Sequence, residues 1–262
     1  MSRNRRHSMD GYKKTVGWII SLTLLAVLTF FSVQRKANSP VEKLVIEINE
    51  AKGQKSLVTK SYIAKRINAY LGYDVNMATI NDISLMELEE IILADERIKS
   101  TEMYIDAENR LQVKIEEKKV VVRVKNNETT YYLDENGDRI GVTVGRVARV
   151  PIASGDIEDY DKSLILSKRK SNLKDIYMLA MEINKDEFLS ALIEQMDIDI
   201  NGKVTMVPKI GKEKINLSVS DLEEKLFKLK YFYKDGLPKE GWTKFSVLDL
   251  DIRDQVVATL KK

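Results

Sequence analysis

The sequence predicts a single transmembrane helix followed by an α+β protein in two parts, and three observations carry that expectation. Thr15–Val33 is a run of 19 residues without a charge. Beyond it, apolar residues alternate, then recur at helical spacing twice, then alternate again, which reads as strand, helix, helix, strand, strand up to about residue 118. From there to the end, strand patterns dominate, broken by tight turns and by shorter helical stripes.

The apolar run comes first. At ~1.5 Å rise per residue it covers about 28 Å, close to the hydrocarbon thickness of a bilayer. Arg3, Arg5, Arg6, Lys13 and Lys14 precede it with only Asp10 opposing, so the positive-inside rule leaves residues 1–14 in the cytoplasm and sends everything from Gln34 onward across. Arg35 and Lys36 on the far side are fewer. Val33-Gln34-Arg35-Lys36-Ala37 offers no small-x-small cleavage site, so the segment reads as an uncleaved anchor with a linker over 34–40.

Past Pro40, Leu44, Ile46 and Ile48 alternate with mostly polar neighbours, the period of a half-buried strand. Ile63, Ile67, Tyr70 and Leu71 then form a helical stripe that Gly72 should stop, and Leu85, Leu88, Ile91 and Ile92 form a second. Ile98–Ile105 and Leu111–Ile115 follow as strands around the turn Asp106-Ala107-Glu108-Asn109. Helices this short should lie across one face of that small sheet.

In the second part, Tyr131–Leu133 and Arg139–Val142 flank an Asn-Gly hairpin, and Ile198–Met206 reads as another around Asn201-Gly202. Between them, Leu173, Ile176, Tyr177 and Ala180, then Leu189, Leu192 and Ile193, fall at helical spacing. Ser220 and Glu223 form a capping-box pattern before Leu222, Leu226, Leu229 and Tyr233, a helix expected to end near Gly236 and Pro238. Phe245 to Val257 closes the chain as a terminal strand or pair of strands.

Composition narrows the chemistry. The net charge of +3, from 43 basic and 40 acidic side chains, is nearly balanced, so no nucleic-acid partner is expected. There is no cysteine, hence no disulfide or zinc-thiolate site, which suits a bacterial envelope better than a small eukaryotic extracellular domain. The one histidine, His7, lies before the anchor, so no Ser-His-Asp or Cys-His arrangement and no histidine-ligated metal is available beyond it. No cofactor is called for. Asp134-Glu135-Asn136-Gly137-Asp138 lacks the spacing of a calcium loop and reads as a tight turn. Ser56 with Lys60, or Ser167 with Lys168, leaves a membrane-anchored peptidase or cell-wall hydrolase as the enzymatic alternative. Otherwise what remains is a binding device.

Several phrases, in this order, resemble the FtsQ/DivIB family of bacterial cell-division proteins. Ala94–Ile105 is similar to the family's entry to its second strand, Leu111–Glu117 to its L-x-I-x-V-x-E, Tyr131–Gly137 to the hairpin where a new domain begins, and Val150–Gly155 to its V-P-x-x-x-G. Lys225–Leu229 and Val247–Leu250 resemble its closing helix and its D-L-R strand, with Asp251 where that arginine usually stands and Lys119 where a proline often follows the glutamate. The resemblance implies a POTRA module over 41–118, a β-rich domain over 119–262, and a non-enzymatic divisome scaffold at the septal cytoplasmic membrane. Its implied partners are FtsB and FtsL, with FtsK and septal wall-synthesis proteins as further ones. An export-type POTRA chaperone is a third reading, which tandem modules or a barrel would normally accompany.

Two edges are the candidate sites. Open sheet edges expose unpaired backbone donors and acceptors that an extended peptide can satisfy. The terminal strand, Phe245, Val247, Leu248, Asp249, Leu250 and Ile252, is expected to be one such edge, and Lys99, Thr101 and Met103 on the second strand of the first module the other.

Overall fold

A computed structural model describes residues 4–51, 53–127, 129–143 and 145–261. The chain divides into two compact units, one of Met1–Glu47, Lys60–Leu93 and Thr101–Ile115, the other of Ile48–Thr59, Ala94–Ser100 and Glu116–Lys262.

The first unit begins with α1 (Asn4–Ala37), which continues past the apolar run at both ends and takes up most of the expected linker. Its stretch Lys14–Ala37 is long and apolar enough to cross a membrane, and none of it is buried in protein. Then come β1 (Lys43–Asn49), α2 (Lys60–Leu71), α3 (Leu85–Leu93), β2 (Ile98–Ile105) and β3 (Arg110–Glu117), with the end of β1, the start of β2 and the end of β3 counted in the second unit. The strands form a sheet in the order β1-β3-β2. Ile63 and Ile67 of α2 with Leu88 and Ile92 of α3 are buried, which is where the two stripes of the sequence go. Gly72 follows α2 with φ 80°, a left-handed stop suited to glycine. At the turn, Asn109 has φ 58° and the Asp106 carboxylate accepts from the Glu108 and Arg110 amides at 3.0 and 2.9 Å.

The second unit is built on a nine-stranded sheet. Its elements are β4 (Val120–Asn126), β5 (Thr129–Asp134), β6 (Arg139–Gly141), β7 (Ile152–Gly155), α4 (Lys162–Leu166), α5 (Asn172–Asn184), α6 (Glu187–Leu192), β8 (Ile193–Ile198), β9 (Lys203–Pro208), β10 (Lys214–Ser218), α7 (Leu222–Tyr231), α8 (Leu237–Glu240), β11 (Phe245–Asp249) and β12 (Val257–Leu260). The spatial order is β12-β11-β10-β9-β8-β7-β4-β5-β6. Pairs β4–β7, β7–β8 and β10–β11 are parallel and the rest antiparallel.

Leu173, Ile176, Ala180 and Ile183 of α5, Leu189 and Leu192 of α6, and Leu226 and Leu229 of α7 pack with Val124, Met196, Met206, Ile215 and Leu248 of the sheet in one core. A smaller core gathers Leu57, Val120, Tyr132, Ile140 and Ala148. The glycine that ends Val150–Gly155 has a physical reason: a Cβ on Gly155 would sit 2.1 Å from the Ile198 carbonyl of β8.

Three local expectations are corrected. Ile193 opens β8 instead of closing a helix. No capping box forms at α7: Asp221 takes the cap in a left-handed conformation, because the Ser220 hydroxyl is turned to the Lys225 ammonium at 3.2 Å. The helical path also runs past Gly236, through a π turn at Phe232–Gly236 into α8, with Pro238 in the first turn, where its missing N–H costs nothing.

Candidate partner-binding edge

The strand expected at the edge lies one place inside it. β11 is paired on one side in parallel with β10, Ile215 opposite Leu248 and Asn216 opposite Asp249, and on the other side antiparallel with β12, Val247 opposite Thr259 and Asp249 opposite Val257. The outer strand is β12. The cause is the tight turn after Leu250, which returns the last residues along β11, the pair of strands that the sequence left as one of two possibilities, with the second strand outermost.

Of the predicted residues, Phe245, Leu248 and Leu250 are buried in the main core, Val247 and Asp249 are half-buried, and Ile252 is exposed in the turn. A bulge at Ser246 lets its hydroxyl reach the Thr259 carbonyl at 3.2 Å. The opposite edge is closed differently: β6 is only three residues long, and its Gly141 amide donates to Glu96 at 2.7 Å. In the smaller sheet β2 is one of two outer strands, β1 being the other, so Lys99, Thr101 and Met103 lie on an edge strand. That edge is partly guarded, since the Met103 amide donates to Glu89 of α3 at 2.9 Å, while Lys99 pairs back to Glu116 of β3 at 2.7 Å.

Beside the start of β12 is an open cleft of about 440 Å³, lined by Phe227 and Tyr231 of α7 and by Gln255 and Val256. Phe227 is 68% exposed and Tyr231 63%, and on β12 Leu260 is 56% exposed. The two aromatics sit four residues apart, off the Leu222–Leu226–Leu229 stripe that faces the core; that off-stripe position is the sequence signal by which they could have been found. A strand with one free edge next to an aromatic cleft can hold an extended segment by its backbone and fix one side chain.

The segment between β11 and β12 is held by α7. Lys225 Nζ, nearly buried, donates to Asp251 Oδ1 at 2.9 Å, Ser218 Oγ at 2.8 Å, the Ser218 carbonyl at 3.0 Å and Ser220 Oγ at 3.2 Å. Lys228 Nζ donates to the Ile252 carbonyl at 2.9 Å. Burial pushes the Asp251 carboxyl up, but Lys225 and the Ser218 amide and hydroxyl hold it below the usual range. Asp251 thus takes a cation from the helix at the position where the resembling family carries one itself. Neither serine–lysine pair named from the sequence is brought together by these bonds: Ser56 donates to the Val58 carbonyl and to Glu117, and Ser167 to the Leu164 carbonyl. Ser218 and Lys225 do meet, with the ammonium donating to oxygens on every side, which makes a clasp.

The fold and edge define an α+β protein with an N-terminal helix able to span a membrane and a large sheet that ends in a strand paired on one side only. Residues 119–259, from before β4 into β12, match the family described as FtsQ/DivIB, C-terminal related. The match covers more than half of the chain, and the chain belongs to that family. The family points to a role in cell division with division proteins as partners. No curated protein matches the chain.

Proposed function

We propose that the chain is a non-enzymatic, membrane-anchored scaffold of the bacterial divisome that recruits division proteins by strand addition at β12. The observation that carries this reading is the outer strand itself, which has a neighbour on one side only and lies beside the cleft of Phe227 and Tyr231. A partner segment would pair with the backbone of Val257–Leu260 and seat an apolar side chain in the cleft. β11, with Val247 and Asp249 half-buried behind it, sets the second row, and Ile252 borders the turn.

On this reading residues 41–118 are a POTRA module and 119–262 the recruiting domain. The helix crosses the cytoplasmic membrane once at the septum, with the N-terminus inside and the bulk outside. Small bitopic proteins resembling FtsB and FtsL are the partners at β12, and β2 is a second edge for others such as FtsK or septal wall-synthesis proteins.

The test is co-purification of the FtsB- and FtsL-like partners with Leu260→Glu, once its melting temperature is shown to match the parent's. Losing an apolar hot spot costs about 2 kcal/mol, roughly thirtyfold in affinity. Undiminished binding would move the recruitment surface away from this edge.

A further inference from the structure

The end of α1 passes into the first unit without a free tether. The Asn38 and Ser39 amides still bond back to the Gln34 and Lys36 carbonyls at 3.2 and 3.1 Å. The Ile80 amide then donates to the Ser39 carbonyl at 3.0 Å, the Val41 amide to the Ala78 carbonyl at 2.9 Å, and Pro40 bridges Thr79. Three consecutive residues at the helix exit are clamped to three consecutive residues of the segment between α2 and α3.

That segment is stiff. The Val75 amide bonds the Asn68 side chain at 3.0 Å, Asp74 caps a short 3-10 turn at Val75–Met77 through the Asn76 amide at 2.9 Å, and the Thr79 amide and hydroxyl close on Asp82 at 2.8 and 2.7 Å. Its apolar residues divide cleanly. Val75 and Ala78 are buried, so Met77 between them turns outward and is 79% exposed, with Tyr73 exposed nearby.

Height follows from the helix. The uncharged run ends at Val33, and the polar turn Gln34–Ala37 rises about 6 Å, comparable to one headgroup layer of a bilayer. Arg35 and Lys36 in that turn suit lipid phosphates, while Asp74 and Asp82 are engaged within the segment. The clamp therefore ties an exposed methionine and an exposed tyrosine to the chain within a few residues of the end of that polar turn. Tyrosine favours the headgroup zone, with its ring in apolar surroundings and its hydroxyl in water.

We propose that Tyr73–Thr79 is a lipid contact, with Met77 and Tyr73 seated in the outer headgroup layer of the membrane that α1 crosses, so that the first unit rests on the bilayer at a fixed height. The proposal rests on α1 spanning the membrane. The chain has no cysteine, which allows clean labelling. Met77→Cys, Tyr73→Cys and Leu25→Cys variants of the full chain would each carry an environment-sensitive fluorophore in phosphatidylcholine nanodiscs, with spin-labelled lipids and aqueous iodide as quenchers. The expected result is a blue-shifted Met77 label quenched by lipids labelled near the glycerol backbone, the Tyr73 label behaving alike, and the Leu25 label quenched by lipids labelled deep in the acyl chain. A Met77 label quenched by iodide and not by lipid, with Leu25 still deep, would overturn the contact and leave the spanning helix intact. Shielding of Met77 from both quenchers would place it against protein and overturn it too. A Leu25 label outside the acyl region would remove the spanning helix and the contact together.

Discussion

At the residue scale, the decisive side chain is Lys225, one of few buried charges in the second unit. A buried ammonium is stable only when its donors are all met, and here they tie α7 to Ser218 on β10 and to Asp251 after β11. Lys225→Met keeps the stem's volume but removes the cation beside Asp251, which keeps only its Ser218 bonds, and the donor to the Ser218 carbonyl. It should lower the unfolding free energy by about 2 kcal/mol, read from urea midpoints at neutral pH. The sequence does not reveal this clasp, because Lys225 sits in an ordinary run of charged helix residues and its partner is 26 positions away.

Asp106 offers a test by pH. Burial pushes its carboxyl up, but hydrogen bonds from the Arg110 amide, the Gln112 side chain and the Arg110 guanidinium, and that guanidinium's charge, bring it down to about 2. A carboxyl lowered in the folded state stabilises above its unfolded value of ~3.9, and that contribution fades as pH falls through the folded value. Asp106→Asn should therefore be less stable than the parent at neutral pH, with the gap closing as pH falls toward about 2. A gap that stays constant in urea titrations across that range would contradict the assignment. This turn was legible, since Asp and Asn at its ends point to it directly.

At the element scale, periodicity found α2, α3, α5, α6, α7 and most strands, and missed the short α4 and α8. α2, α3 and α5 follow from apolar stripes that the cores absorb. It failed where long-range pairing decides the outcome. Whether Phe245–Ile252 or the residues after it form the edge depends on a turn that reverses the chain, and strand order is not written in alternation. The loop at 48–59 was equally opaque. It precedes α2, yet Leu57 is buried in the smaller core of the second unit, the Val120 amide bonds Gln54 Oε1 at 3.3 Å, and the Val58 amide bonds Glu117 at 2.7 Å.

A division of the chain after Lys118 therefore separates these groups from their core. Leu57→Ala should destabilise the second unit by about 2–3 kcal/mol, measured as a shift in the unfolding transition followed by a probe at Trp242. A transition unmoved by this change would mean that the loop adds nothing to that core and that 119–262 stands alone.

At the scale of the whole molecule, a helix long and apolar enough to span a membrane and the mixed α+β character were legible from a charge-free run and from changes of period. The aromatic cleft was not, because it needs α7 and the residues before β12 in one place. The proposed function has the chain work by presenting an edge, and the most direct measurement is amide hydrogen exchange on the full chain with and without an FtsB-like protein. The account expects amides of Val257–Leu260 to slow on binding while those of β6 at the opposite edge are unchanged. A complex that forms with no added protection anywhere along β12 would contradict it.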